Sequence, residues 1–131
     1  MGELSFLLDT CALIWWWNAP AELSVKAWAL IRDPRNRIFV SAATAWEIST
    51  KTRIGKLPSG SRILDEWSQR IGEDGFFELP MTAVHAAKAG LLPGEHRDPF
   101  DRMIAAQGLL ENLPILTSDP RLAALGSETR W

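Results

Sequence analysis

The sequence predicts an α/β protein in which a mostly parallel sheet is covered by helices on both faces. Short apolar runs alternate with longer segments of helical periodicity along the chain, which is typical of parallel strands joined by helical crossovers. The 131 residues are 47% hydrophobic and 23% charged, and no repeat or linker interrupts them. We therefore expect one domain, over residues 1–131, with a substantial core.

Apolar runs predict the strands. "LSFLL" ends at Asp9, and "RIFVS", "FFELP" and "PILTS" follow at intervals that leave room for helices. Runs of this length bounded by turn residues suit strands that are buried on both faces. The predicted strands are 4–8, 37–41, 76–80 and 114–118.

The segments between the first three strands predict helices with recognisable ends. Pro20 ends or interrupts "TCALIWWWN", and Ser24 begins the amphipathic segment "SVKAWALIRD", which Pro34 stops. "AATAWEISTKTRIG" follows the second strand and can close at Gly55. After a loop, "RILDEWSQRIG" predicts one amphipathic helix over 62–72.

The last part of the chain contains two Asp-Pro helix starts. Thr82 caps "AVHAAKAGLL", and "PGEHRD" is then predicted as a loop. In "DPFDRMIAAQGLL", Asp98 is the predicted N-cap and Pro99 occupies the first helical position. The same start recurs at Asp119, directly before the short segment "PRLAAL".

Acidic residues fall where the carboxyl ends of parallel strands meet. Asp9 follows the first strand, Asp119 follows the fourth, and Glu47 lies on the helix after the second. Asp98 and Asp101 open the helix that leads into the fourth strand. Open α/β sheets bind ligands beyond this edge, near a switch point in strand order. Converging carboxylates repel one another unless a cation neutralises them, so the pattern predicts a site for Mg²⁺ or Mn²⁺.

The sequence alone leaves a structural explanation open for most of these acids. Asp98 and Asp119 are favoured N-cap residues, and Glu47 can pair with Lys51 one turn later. Asp9 is harder to explain in this way, because a lone carboxylate at the end of an apolar strand would be desolvated.

The sequence contains little that would indicate other types of catalytic or binding site. The sequence has no P-loop, Gly-x-Ser-x-Gly elbow, EF-hand loop or His-Glu-x-x-His motif. His85 is expected to be structural and Cys11 to pack inside the protein, while His96, two residues before Asp98, is a weaker candidate for the mouth of the site. A single cysteine suits a reducing cytosol, and the charge of Asp9 within the N-terminal apolar run argues against a signal peptide or membrane span.

The overall charge does not exclude a nucleic-acid substrate. A net charge of −2, from 14 basic and 16 acidic side chains, argues weakly against one. If five carboxylates surround a cation, however, basic residues outnumber the acids that remain.

Several segments together resemble a known family. "LLDTCALIWWW", "VSAATAWEISTKTRIGKL", "LPMTAVHAAKAGLLPGEHRDPFDRMIAAQ" and "PILTSDPRL" occur in the order and spacing of PIN-domain proteins, specifically the VapC-type toxins of bacterial toxin–antitoxin pairs. The resemblance covers essentially the whole chain. It implies a small three-layer α/β/α domain and a cytoplasmic, Mg²⁺- or Mn²⁺-dependent endoribonuclease. It also implies a small antitoxin partner and a homodimer.

The resemblance also implies a set of site residues. The family's acids match Asp9, Glu47, Asp101 and Asp119 as catalytic metal ligands, and Asp98 is an additional acid that can touch the metal. Bound metal would activate water for in-line attack on phosphorus. The resemblance is compatible with either one or two metal ions. Side chains expected to support the ligands or contact phosphate are Thr10, Ser118 and Arg102; for Thr10 and Ser118, turn or cap hydrogen bonds are an equal alternative.

Tryptophan is unusually frequent, with seven Trp and no Tyr. Trp15, Trp16 and Trp17 are consecutive, and successive helical residues point about 100° apart, so one buried face cannot hold all three rings. We therefore predict that these residues and Trp28 contribute to an antitoxin or dimer contact. The alternative is that adjoining segments of the chain cover the rings.

Two other functional classes share parts of this pattern. A PIN nuclease of RNA maturation or DNA processing would share the site, but the short chain without an appended domain argues against it. A receiver-type signalling domain would need adjacent acids at the first strand and an Asp after the third. The sequence instead has one Asp at the first strand and Glu-Leu-Pro at the third.

Overall fold

The fold is taken from a computed structural model, which describes residues 3–131. Five strands form one sheet in the order β3-β2-β1-β4-β5, and every neighbouring pair is parallel. This confirms the predicted α/β class. The strands are β1 (Ser5–Leu8), β2 (Arg37–Ser41), β3 (Phe77–Leu79), β4 (Ile115–Leu116) and β5 (Thr129–Arg130).

Helices connect the strands and begin at several of the predicted caps. The side chains of Ser24, Thr82, Asp98 and Asp119 each accept a hydrogen bond from the first turn of the helix that follows. No helix among the described residues is long and apolar enough to cross a membrane. The helices are α1 (Thr10–Asn18), α2 (Val25–Arg32), α3 (Ala42–Arg53), α4 (Gly60–Asp65), α5 (Trp67–Asp74), α6 (Ala83–Leu91), α7 (Pro99–Leu110) and α8 (Pro120–Ala124), with a 3₁₀ turn at Pro20–Glu22.

The core lies on both faces of the sheet. Leu7 of β1 belongs to a buried cluster with Ile104 of α7 and Ile115 of β4. Its neighbours Phe6 and Leu8 point to the opposite face and join a second cluster that includes residues of α1, α2 and α5. The two clusters make the molecule a three-layer α/β/α structure.

The single helix predicted over 62–72 is two helices, α4 and α5, which meet at Glu66. Gly60 at the start of α4 sits so close to α3 that an added Cβ would lie 1.8 Å from the Oγ1 atom of Thr52. Ile71 of α5 instead packs into the cluster that contains α1. The two halves have different packing partners, and this tertiary requirement overrides the continuous helical pattern.

The sequence did not predict β5, and β4 is shorter than expected. β5 contains only Thr129 and Arg130, which carry no apolar alternation. It forms because β4 offers an edge: the Ile115 amide donates to the Glu128 carbonyl, and the Thr117 amide donates to the Arg130 carbonyl. Pairing across the sheet, rather than local preference, creates this strand.

The topology brings the predicted site to one edge of the sheet. The chain moves from β1 outward to β2 and β3, then returns to place β4 on the other side of β1, so strand order reverses between β1 and β4. α3 begins directly after β2, and α7 leads back toward the start of β4. Buried Gln107 of α7 ties that helix to the sheet, because its Oε1 accepts from Ser41 and its Nε2 donates to the Pro80 carbonyl.

Candidate active site

Asp9 is a buried carboxylate at the carboxyl end of β1, with 7% of its surface exposed. Its Oδ1 accepts from the Ala12 amide at 2.7 Å, which caps α1, and its Oδ2 accepts from the Thr117 hydroxyl. Burial raises the pKa of Asp9 from its ordinary value of 3.8 to about 6, although these two hydrogen bonds oppose the shift. The fold therefore holds this acid in a position that disfavours its charge.

Glu47 is the second buried acid, with 5% of its surface exposed on α3. The ammonium group of Lys51 lies 2.5 Å from its Oε2, so the predicted ion pair forms. Its Oε1 is buried and accepts no hydrogen bond within the described part of the chain. An unpartnered buried carboxylate oxygen is unfavourable, and a cation is the ligand that would satisfy it.

Asp98 and Asp101 occupy the first turn of α7 in different ways. The Oδ1 atom of Asp98 accepts from the amides of Phe100 and Asp101, at 2.9 and 3.2 Å, which confirms the predicted N-cap. The Oδ2 atom of Asp101 lies 2.8 Å from Nε2 of His96, so this histidine lies at the acids. Burial raises the pKa of Asp101, and the hydrogen bond to His96 offsets part of that increase.

Asp119 caps α8 and accepts hydrogen bonds from the backbone and side chain of Arg121. The guanidinium Nη2 atom is 2.8 Å from Oδ2, and this contact holds the pKa of Asp119 below its ordinary value. Arg121 was not among the site residues predicted from the sequence. Its position two residues after the cap is the signal that points to it, since a long side chain there can fold back onto its own N-cap.

The acids are close enough to affect one another. The charges of Asp101 and Asp119 raise the pKa of Asp9, and those of Asp98 and Glu47 raise the pKa of Asp101. Each carboxylate is nevertheless turned toward a hydrogen-bond or ion-pair partner. Within residues 3–131, no three Asp, Glu, His or Cys side chains are arranged to hold one ion.

The side chains still fit a hard divalent cation in type. They offer carboxylate oxygens, which Mg²⁺ and Mn²⁺ prefer, and Glu47 contributes an oxygen without a partner. In this arrangement Lys51 and Arg121 neutralise two of the acids. A bound ion would therefore compete with these two basic side chains.

The residues expected to support the acids behave differently from one another. Thr10 is buried, and its hydroxyl is 3.2 Å from that of Thr44, which links α1 to α3. Ser118 is exposed, and the neighbouring Thr117 makes the contact with Asp9 instead. Thr117 also accepts from the Asp119 amide, so it joins two of the acids. No local sequence feature distinguishes Thr117 from Ser118, because the contact depends on the fold.

Arg102 was expected to support the ligands or contact phosphate, and in the structure it binds backbone carbonyls before α7. Its guanidinium group donates to the backbone carbonyls of Ala89, Leu92 and His96. The last carbonyls of a helix lack partners within the helix, and Arg102 satisfies those at the end of α6. The Arg102 side chain thus binds the backbone at the end of α6 and in the loop before α7. Cys11 also departs from expectation, since it is exposed rather than packed.

The three consecutive tryptophans are covered in part by their own chain. Trp15 packs on Trp131, and Trp17 packs edge-on against Trp67, with ring centroids 5.8 and 5.7 Å apart. Trp16 packs near Phe76, and all three rings are half-buried. Loops and α5 thus cover much of the surface that was expected to face a partner, although each ring keeps some exposure.

Trp28 is more exposed than this triplet, at 39%, and the Arg32 guanidinium lies 5.0 Å from its ring centroid. Trp46 on α3 is 45% exposed. A partner contact through the predicted tryptophans remains a prediction, with Trp28 as its most accessible member.

Comparison with known proteins adds family evidence. The family model described as PIN domain matches residues 6–128. Ribonuclease VapC16 of Mycobacterium tuberculosis is 37% identical over 59 residues, which cover 45% of this chain and 42% of that protein. The match thus spans less than half of this curated relative.

Solved structures share the fold at low sequence identity. VapBC2 from Rickettsia felis, bound to a DNA fragment from its promoter, has a TM-score of 0.68 and 14% identity over 95% of this chain and 96% of that one. FitAcB from Neisseria gonorrhoeae has a TM-score of 0.63 and 22% identity over 95% of each chain. These similarities establish the architecture independently of the carboxylates.

Proposed function

Because this chain belongs to the PIN-domain family, we propose that it is a Mg²⁺- or Mn²⁺-dependent endoribonuclease that acts as the toxin of a toxin–antitoxin pair. A ribonuclease among its relatives and toxin–antitoxin complexes among its structural neighbours support this choice. A PIN nuclease of RNA maturation or DNA processing is the second candidate, since it would use the same acids. The family match disfavours a receiver-type domain.

The observation that carries the proposal is the unpartnered Oε1 of Glu47 beside two other buried or half-buried acids. Asp9 and Asp101 both have a raised pKa, mainly because they are buried. Carboxylates grouped at this edge of the sheet repel one another and lose hydration, and both effects destabilise the metal-free fold. Cation binding is the function that makes such an arrangement useful.

The protein's own residues would hold the ion and place the substrate. Asp9, Glu47, Asp101 and Asp119 are the proposed ligands, and a bound ion supplies a water of lowered pKa and neutralises charge on the phosphate. The Thr117 hydroxyl orients the Asp9 carboxylate by donating to its Oδ2.

No side-chain nucleophile is required. Cys11 is the single cysteine of the chain, and although the residue has an exposed surface, partial desolvation of its thiol together with the charges of Asp9 and Glu47 raises its pKa to about 11. It therefore remains a protonated thiol at neutral pH, which is a poor nucleophile. Water is the attacking group that the site favours.

Protein partners form the second part of the proposal. We propose that a small antitoxin binds this chain, that two copies associate, and that the protein acts in the cytoplasm. The structural neighbours described as VapBC2 and FitAcB support an antitoxin partner.

The direct test is cleavage of single-stranded RNA by the purified protein. Added Mg²⁺ or Mn²⁺ should give cleavage, EDTA should stop it, and fresh metal should restore it. Products with 2′,3′-cyclic phosphate ends would contradict the mechanism, because they arise when the ribose hydroxyl attacks instead of water. Cleavage of DNA but not RNA would favour the second candidate.

Replacement of Lys51 by Met should make the protein depend more strongly on metal. The variant leaves the buried Glu47 without its ion pair, so we expect the metal-free protein to lose about 1–2 kcal/mol of stability. It also removes a positive charge that competes with the ion, so Mn²⁺ should raise the melting temperature more than in the wild type. Lys56→Met, at an exposed position, is the control. Equal Mn²⁺-induced shifts in both variants would show that Lys51 and the ion do not share Glu47.

A further inference from the structure

An aromatic pair lies at the edge of the carboxylate site. Trp46 of α3 directly precedes Glu47, and Phe100 of α7 directly precedes Asp101. The two rings meet edge to face, with centroids 4.5 Å apart and an interplanar angle of 74°. The pair therefore connects the two helices that carry these acids.

The Trp46 side chain keeps a large exposed surface, although its ring packs against Phe100. Its exposed fraction is 45%, whereas the tryptophans of α1 are half-buried by rings from α5, the C-terminus and the segment before β3. The edge-to-face contact restrains the indole, so little further side-chain entropy would be lost when a ligand stacks on it. An exposed and restrained aromatic ring is a suitable platform for stacking.

Basic side chains extend along the same helix. Arg53 lies two turns after Trp46 on α3, on the same side of the helix, and it is exposed. Lys51 lies between them in sequence, but its ammonium group is paired with Glu47 and points to another side of the helix, so Arg53 is the positive charge in line with Trp46. An aromatic ring near a positive charge is a combination that binds single-stranded nucleic acid, with a base on the ring and a phosphate at the charge.

We propose that Trp46 stacks on a base of the RNA next to the scissile phosphate. This inference rests on the proposed ribonuclease function and makes Trp46 a substrate-positioning residue within it. The observations favour RNA over a protein partner, because Trp46 and Phe100 each directly precede one of the acids at which the scissile phosphate would be bound.

The test uses Trp46→Leu, which keeps an apolar contact for Phe100 but removes the aromatic face. Trp46→Phe retains a smaller aromatic face. Phe77→Leu is the matched control, since Phe77 is 49% exposed and stacks on Phe39 at 5.3 Å, on the strand β3. For each protein, kcat/KM is measured with Mn²⁺ on a defined single-stranded RNA that the wild type cleaves. Binding is compared between this RNA sequence and an abasic strand of the same length, with Ca²⁺ in place of Mn²⁺.

We expect Trp46→Leu to lower kcat/KM about tenfold or more, Trp46→Phe to recover most of that loss, and Phe77→Leu to stay within about twofold of the wild type. The wild type should prefer the strand with bases over the abasic strand, and Trp46→Leu should lose most of this preference. Mn²⁺ affinity, measured by calorimetry, should be the same in all four proteins. This last result separates stacking from damage to the acids.

Other outcomes would overturn the inference in distinguishable ways. A wild type that cleaves no RNA would remove the proposed function itself. If the wild type cleaves and Trp46→Leu has the same kcat/KM, only the stacking role fails. An equal loss of binding on both strands, or a change in oligomeric mass with unchanged cleavage, would assign the ring to folding or to a protein contact.

Discussion

Asp9→Asn is expected to abolish RNA cleavage while making the metal-free protein more stable. Asparagine has nearly the same shape, and its side-chain oxygen can still accept from the Ala12 amide, so α1 should keep its cap. The variant removes a negative charge from the proposed metal ligands. We expect kcat/KM to fall by at least about 100-fold.

The gain in stability depends on pH. Burial raises the pKa of Asp9 from 3.8 to about 6, so the folded state favours the protonated acid. The stabilisation from this preference is fully present below the unfolded pKa and is lost as the pH rises through about 6. At about pH 8 the buried charge then destabilises the metal-free wild type by up to about 3 kcal/mol relative to the neutral side chain.

Urea unfolding in EDTA measures this effect. The stabilities of the wild type and Asp9→Asn should be similar near pH 4 and should separate between about pH 4 and 7, with Asp9→Asn the more stable. Asp65→Asn, at an exposed position on α4, is a control that should change neither cleavage nor the pH profile. Parallel profiles of stability against pH for the wild type and Asp9→Asn would contradict a raised pKa of Asp9. Full activity of Asp9→Asn would show that Asp9 is not part of the catalytic site.

The two aspartates at the start of α7 should respond unequally to the same replacement. Asp98 accepts two backbone hydrogen bonds through one oxygen, and asparagine is as good an N-cap, so Asp98→Asn should leave the helix intact. We expect it to lose less than about tenfold in kcat/KM. Asp101→Asn should fold but lose at least about 100-fold, because Asp101 is a proposed ligand and lacks a capping role.

The comparison requires kcat/KM together with the free energy of unfolding for both variants. Asp98→Ala adds a useful third case, since loss of the cap should lower stability by about 1 kcal/mol. Equal losses of activity in Asp98→Asn and Asp101→Asn would show that both carboxylates serve the reaction. That result would contradict the division of roles between capping and catalysis.

Features with local causes could be predicted from the sequence. The caps at Ser24, Asp98 and Asp119 depend on a side chain and an amide only two or three residues apart. The ion pair between Glu47 and Lys51 follows from helical spacing in the same way. The edge of the sheet at which the acids meet could also be predicted, because alternating strands and helices imply a parallel sheet.

Features that depend on distant partners could not be predicted. The break at Glu66 exists because α4 and α5 pack on different neighbours, and no glycine or proline marks it. The bond between Thr117 and Asp9 joins residues 108 positions apart, so no local pattern distinguished Thr117 from Ser118. Arg102 donates to the carbonyl of Ala89 in α6, a contact between residues 13 positions apart that no local pattern predicts.

The use of acids as helix caps has a consequence for how the protein can be regulated. Asp9, Asp98 and Asp119 each direct a carboxylate oxygen at the amino end of a helix, where the aligned peptide dipoles place partial positive charge. Backbone amides thus stand in for part of the charge that a metal ion would bring. Unlike small domains that unfold when they lose zinc, this protein is expected to keep its fold when metal is removed. For the proposed metal-dependent nuclease, the supply of divalent ions would then switch cleavage on and off without unfolding the protein.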